Sequence, residues 1–187
     1  KAGFAGLAVY TALLATGGMI FVFLTCRGNT YLRAFAVVPG AATAAVFWSA
    51  RPQMFSFFFS AVAVWLLWGE VRRPSWRIWI FPVMMALWGN LHAGFSIGFI
   101  LLGLFIAGEA LGNLFTRGPR EGLNWRGVGR LVLIGLVSLA AVLVNPRGAE
   151  LLAVPFQTLG IGALQNSIQE WASPNFHDRQ SWPFLLL

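Results

Sequence analysis

Apolar residues run through this chain in long unbroken stretches, and charged ones are confined to short gaps between them. The longest stretch without a charge runs from Ile78 to Gly108, 31 positions. A bilayer core of about 30 Å is crossed by roughly 20 helical residues, so this run is too long for one upright helix. It is interrupted once, by the polar cluster Gly89-Asn90-Leu91-His92. The pattern predicts two helices that meet at that cluster, with Asn90 and His92 held at one membrane face.

Six further apolar segments fall around this pair. Full spans are expected at 3–24, 34–50, 54–68, 78–88, 93–115 and 131–144, and a partial seventh opens near Trp182. The segment 153–168 is apolar but short, broken by Pro155, Gly160 and Gly162, and reads as interfacial or re-entrant rather than crossing. The predicted architecture is therefore all-α: a polytopic transmembrane helical bundle of about six full spans plus a partial seventh. It forms a single transmembrane domain over 1–187, an excerpt of a longer chain, with a non-cytoplasmic interfacial segment at 149–181. Small residues recur around Gly40, and as Gly94/Gly98 and Gly108/Gly112, a spacing that suits close helix packing.

Composition strengthens this reading. The chain is 58% hydrophobic and only 10% charged, with a mean hydropathy of +0.72. Soluble domains carry roughly 25% charged residues, and a small soluble globule leaves too much surface exposed to hide so much apolar area. Transmembrane barrels alternate apolar and polar positions, whereas here the runs are continuous. The net charge of +7 would suggest a nucleic-acid partner in a soluble protein, but the basic residues sit between membrane segments, with no basic groove or stacking platform, so no nucleic acid is expected. The lone Cys26 excludes an internal disulfide and any multi-cysteine metal site.

Alternating the spans sorts the arginines. Gaps 27–33, 70–77 and 116–130 fall on one side with two, three and four Arg, while Arg51, Arg147 and Arg179 fall on the other. Positive loops face the cytoplasm, so those three gaps are expected there. The remaining polar groups then gather on the non-cytoplasmic face: Arg51, Asn90, His92, Asn145, Arg147, Glu170, Trp171, His177 and Asp178. Polar groups set into an apolar scaffold are costly and need a partner or a task. His92 is a candidate general base, metal ligand or phosphate donor, or a helix cap. Arg51 and Arg147 each neighbour a proline; a guanidinium fork suits bidentate phosphate binding, and snorkelling to lipid headgroups is the alternative. Glu170 supplies a carboxylate base and Trp171 a platform for a sugar ring, or the pair forms an interfacial loop. Glu109, deep in the fifth span, pairs with a cytoplasmic Arg or serves as an ion site. No motif specifies a metal; a divalent ion stays open as a cofactor.

The strings RPQMFSFFF (51–59), LWGNLHAGFSIG (87–98), NPRG (145–148) and EWASPNF (170–176) resemble a group of bacterial polytopic membrane proteins described as glycosyltransferase-like, of the GT-C type that includes protein mannosyltransferases and oligosaccharyltransferase-like enzymes. The resemblance implies many helices, a polyprenyl-phosphate-linked sugar donor, membrane lipid as partner and an active site on the non-cytoplasmic face. It implies a bacterial inner membrane and carries over Arg51, Asn90, His92, Asn145, Arg147 and Glu170 as motif positions; on this reading Glu170 and His92 are the candidate catalytic residues, and Arg51, Asn90, Asn145, Arg147 and Trp171 the candidate substrate-binding ones. Such enzymes place a catalytic acid in their first external loop; no acid precedes Glu70 here, so that loop is expected upstream. A transporter or a non-catalytic scaffold subunit is the rival expectation. The oligomeric state is not legible.

Overall fold

The structure is a computed structural model that describes residues 3–116, 118, 121–159 and 175–186. The described residues contain seven α-helices: α1 (Gly3–Thr25), α2 (Thr30–Ala45), α3 (Gln53–Arg72), α4 (Ile80–Leu91), α5 (Ser96–Phe115), α6 (Trp125–Val142) and the short α7 (Val154–Leu159). Turns of 3-10 helix stand at Trp76–Trp79, Ala93–Phe95, Gly148–Ala153 and Arg179–Leu186, and no strand occurs among the described residues. Four helical stretches are long and apolar enough to cross a membrane: Gly3–Thr25, Gln53–Arg72, Ala93–Phe115 and Trp125–Val142.

The other two expected spans are shorter helices. α2 has 16 residues: Asn29 caps its start by accepting the Leu32 N–H, and Pro39 lies within it. α4 has only 12, because the four residues before it wind as a 3-10 turn. It is also the most enclosed helix, burying Phe81, Pro82, Met84, Met85, Trp88 and Gly89. A helix packed inside protein does not take its length from the bilayer, since neighbouring helices rather than lipid surround its ends. The predicted meeting point at His92 is present. α4 stops at Leu91, His92 is extended, and a 3-10 turn leads into α5.

α3 is the hub. It packs along α1 on one side and against α5 and α4 on the other, while α4 lies along α6. The core joins Phe59, Ala63, Leu66 and Leu67 of α3 to Phe81, Met85 and Trp88 of α4, Leu102 of α5, and Leu131 and Ile134 of α6. Gly17 and Gly18 let α1 approach closely: a Cβ at Gly17 would lie 2.9 Å from the Phe58 ring, and one at Gly18 2.6 Å from Phe57. Gly98 likewise faces Met85 and Trp88 with no room for a side chain. Gly40 and Gly108 have open space instead, so the small-residue spacing expected to mark packing at those positions does not. Large apolar side chains such as Phe4, Phe35, Leu104 and Leu114 point outward. Soluble monomers rarely expose so much contiguous apolar surface, and this, with the four long helices, marks a membrane protein.

Helix ends collect at two rims. Along α3, Ser56 and Glu70 stand 14 positions apart, about 21 Å at 1.5 Å per residue. The Ser75 N–H donates to Glu70 Oε2 at 2.9 Å, and Ser56 meets His92 at 2.6 Å, so the chain from 75 to 92 runs back along α3. Arg130 at the start of α6 reaches Glu70, and the Asn90 amide reaches the Val144 carbonyl just past the end of α6. Two expected boundaries shift. α6 starts at Trp125, capped by Asn124 Oδ1, which accepts the Gly127 N–H at 3.0 Å. Arg126 and Arg130 therefore belong to its first turns and not to a loop over 116–130. Glu70, read as part of a gap, is a buried residue in the last turns of α3.

Candidate functional site

A connected polar group forms where α3, α4 and α5 meet. Trp88 Nε1–H, buried on α4, donates to Ser56 Oγ on α3 at 2.8 Å. Ser56 Oγ lies 2.6 Å from His92 Nδ1. The Gly94 N–H donates to the same Nδ1 at 3.1 Å. The roles follow from the two groups that can only donate, an indole and a backbone amide. Nδ1 must accept, so the Ser56 hydroxyl, already an acceptor from Trp88, spends its proton on His92. The neutral ring then carries its hydrogen on Nε2, which has no partner among the described residues. Protonating Nδ1 would set a donor against the Gly94 N–H. Partial burial acts in the same direction, lowering the imidazole pKa below its ordinary value of 6.5. Gly94 is required by contact: a Cβ there would strike Ser56 Oγ and the His92 ring.

Sequence-predicted residues stand around this cluster. Asn90 Nδ2 donates to Ala86 O at 2.8 Å and to Val144 O at 2.9 Å, tying the end of α4 to that of α6. Asn145 turns the chain after α6. Its Nδ2 donates to Val142 O at 2.6 Å and its Oδ1 accepts the Arg147 N–H at 2.7 Å. Arg147 is exposed. Arg51 is exposed one turn before Ser56, and its carbonyl accepts from Tyr10 Oη at 3.1 Å. Asn90, Asn145 and Arg147 are thus brought to one rim by hydrogen bonds around the end of α6, with His92 two residues past Asn90 and bonded to Ser56 of α3, and Arg51 two residues ahead of α3. Glu170 and Trp171 lie outside the described residues. His177 is exposed within its own turn, where Asn175 Oδ1 accepts its N–H at 3.1 Å. Among the described residues, no three His, Cys, Asp or Glu side chains come together.

The opposite rim holds an ion pair. Arg130 Nη1 lies 2.8 Å from Glu70 Oε1, and Arg130 Nη2 donates to Ser75 O at 2.7 Å. Oε1 is buried with no hydrogen-bond partner besides that ionic contact. Glu109 accepts the Leu123 N–H at 2.7 Å, fastening the connection between α5 and α6.

The sequence pattern alone does not single out Ser56 or Trp88. A single hydroxyl inside Met54-Phe55-Ser56-Phe57-Phe58-Phe59 was the available signal, since a polar group among buried aromatics requires a partner. Comparison with protein-family models, with curated proteins and with solved structures finds no match.

Proposed function

We propose that this protein is a membrane glycosyltransferase-like enzyme that takes a sugar from a polyprenyl-phosphate donor at the rim formed by Arg51, Asn90, His92, Asn145 and Arg147. On this reading the chain crosses the membrane about six times, with α2 and the 76–91 segment as the two short crossings. The arginine-rich rim faces the cytoplasm of a bacterial inner membrane and the His92 rim faces away from it. The observation that carries the proposal is the convergence of these groups through the Ser56–His92 and Asn90–Val144 contacts. Helix ends from α3, α4, α5 and α6 supply a small polar surface at this rim.

The hydrogen-bond roles refine the assignment of His92. With Nδ1 occupied twice, the ring offers Nε2–H, a donor suited to a phosphate oxygen, and does not offer a base. His92 would therefore orient the donor phosphate, while Arg147 and Arg51 neutralise its charge. The proton acceptor would be Glu170, and Trp171 would stack on the sugar; Asn90 and Asn145 would line the surface. The test compares binding of a polyprenyl-phosphate-linked hexose to the purified chain in nanodiscs. Arg147→Ala should weaken it about tenfold, as for loss of one charge-assisted contact, and Arg126→Ala on the opposite rim should leave it unchanged. Equal effects of the two substitutions would reject the assignment.

One observation favours a non-catalytic scaffold instead. The Asn90 and Asn145 amides both donate to backbone carbonyls, which is what structural clips do. Under that reading Arg147→Ala and Arg126→Ala both leave hexose-carrier binding absent.

A further inference from the structure

An open groove of about 740 Å³ runs along α3 between α1 and α5. Its floor is a stripe of α3: Phe57, Ala61, Val64 and Trp68, faced by Leu101 of α5. From Ser56 to Trp68 it spans 12 positions, about 18 Å, close to half of a hydrocarbon core of about 30 Å. One leaflet's worth of acyl chain would lie along it.

The end of the groove at Trp68 is strongly cationic. Arg27, which lines the groove, has its guanidinium carbon 5.4 Å from the Trp68 ring centroid, and Arg72 places its own at 5.1 Å. Arg27 and Arg33 both act on Arg72 as like charges. Among the described residues no carboxylate pairs with any of the three. The nearest acid in sequence, Glu70, is buried and already committed to Arg130 and the Ser75 N–H. Two guanidiniums on one indole ring without a carboxylate between them, with Arg33 adding a third like charge, stand at the mouth of an apolar trough and are complementary to a chain-bearing phosphate ester. Basic pockets between membrane helices recognise anionic headgroups in this way, at about 1 kcal/mol per Arg.

We propose that this groove is a binding site for an anionic phospholipid, its phosphate held by Arg27 and Arg72 and an acyl chain laid along Ala61 and Val64. The site lies at the rim opposite His92 and does not depend on the glycosyltransferase reading. A phosphate oxygen bridging the two guanidiniums removes their mutual repulsion, so the lipid fixes the α1–α2 connection against α3.

The purified full chain, stripped of lipid in detergent, would be titrated separately with phosphatidylglycerol, phosphatidylcholine and inorganic phosphate, and bound adducts counted by native mass spectrometry. Retention of one phosphatidylglycerol in preference to phosphatidylcholine, without displacement by equimolar phosphate, is expected. Arg27→Gln and Arg72→Gln should each weaken retention about fivefold, whereas the Arg27→Lys/Arg72→Lys double variant should keep most of it. Ala61→Phe, which fills the trough without touching charge, should weaken retention too, and Arg126→Gln should not. Equal retention of the two lipids, full displacement by phosphate, or an Arg126→Gln effect matching that at Arg27 and Arg72 would overturn the proposal.

Discussion

At the arginine-rich rim, Glu70 and Arg130 tie α3 to α6 with full charges, whereas at the opposite rim Ser56, Trp88 and His92 tie α3 to α4 and α5 with neutral groups. Both clamps are buried or half-buried, and both satisfy polar atoms that the apolar bundle would otherwise strand. They differ in what is left over. The Glu70 carboxylate is consumed: Oε2 by the Ser75 N–H and Oε1 by Arg130, which also holds Ser75 O. The neutral clamp consumes Nδ1 of His92 and leaves Nε2–H free among the described residues. A charged clamp closed on itself fixes a turn; a neutral clamp with one unused ring nitrogen can also meet a ligand.

The contrast predicts unequal costs. The largest is expected at Arg130. Arg130→Leu strands a carboxylate whose side chain is 1% exposed, and removing one partner of a buried pair costs about 3–5 kcal/mol. The double variant Glu70→Leu/Arg130→Leu should recover most of that, because no uncompensated charge remains. Equilibrium unfolding in detergent micelles, run as a double-mutant cycle, measures both. If Arg130→Leu proves as mild as Arg126→Leu, Glu70 is not held by this pair.

Next comes the neutral clamp's spacer. Gly94→Ala drives a methyl into Ser56 Oγ and the His92 ring, an overpacking that costs about 1–3 kcal/mol. Gly108→Ala, within α5 and with nothing within 4 Å, should be neutral or slightly stabilising, since alanine is the better helix former. Ser56→Ala should cost less, about 1 kcal/mol, because hydrogen bonds between membrane helices average about 0.6 and reach about 1.7. It nonetheless frees Nδ1 from one of its two donors. Trp88 fluorescence should shift as the indole N–H loses its acceptor; an unchanged spectrum would mean the Trp88–Ser56 bond does not form in the membrane.

Much of this bundle could be read from the chain. The break at His92 is visible because Gly89, Asn90 and His92 interrupt an otherwise apolar run, although α4 continues to Leu91 where the pattern ends it at 88, and α5 begins at Ser96 after a 3-10 turn where the pattern begins it at 93. The pattern places the start of α6 too late because Arg126 and Arg130 resemble loop residues; the N-cap at Asn124, followed three residues later by the amide it accepts, is the start signal. Burial of Glu70 is illegible in the sequence, since its partner lies 60 positions away on a helix whose first turns resemble a loop. The site was legible in part. Asn90, His92, Asn145 and Arg147 share a rim as alternation of the spans implied, but Ser56 could be paired with His92 only through a fold that brings positions 36 apart together.

Asn90 gives the smallest effect on stability and the sharpest view of what its rim does. Its amide nitrogen is spent on Ala86 O and Val144 O, leaving Oδ1 as its unused acceptor. Asn90→Ala deletes a clip on an exposed residue, so about 0.5–1 kcal/mol is expected. Asn90→Asp should cost more than Asn90→Ala despite its closer shape, since it sets a carboxylate against two carbonyl oxygens and removes both donors. If the rim also binds a phosphate-linked sugar, the two variants separate again. Aspartate adds a negative charge beside Arg147 and should weaken carrier binding beyond its effect on stability, whereas alanine should weaken binding only in proportion to its loss of stability. Titrating both variants with the same polyprenyl-phosphate hexose, alongside their unfolding curves, makes that distinction. A carrier affinity that is the same in both would confine Asn90 to its structural bond with α6.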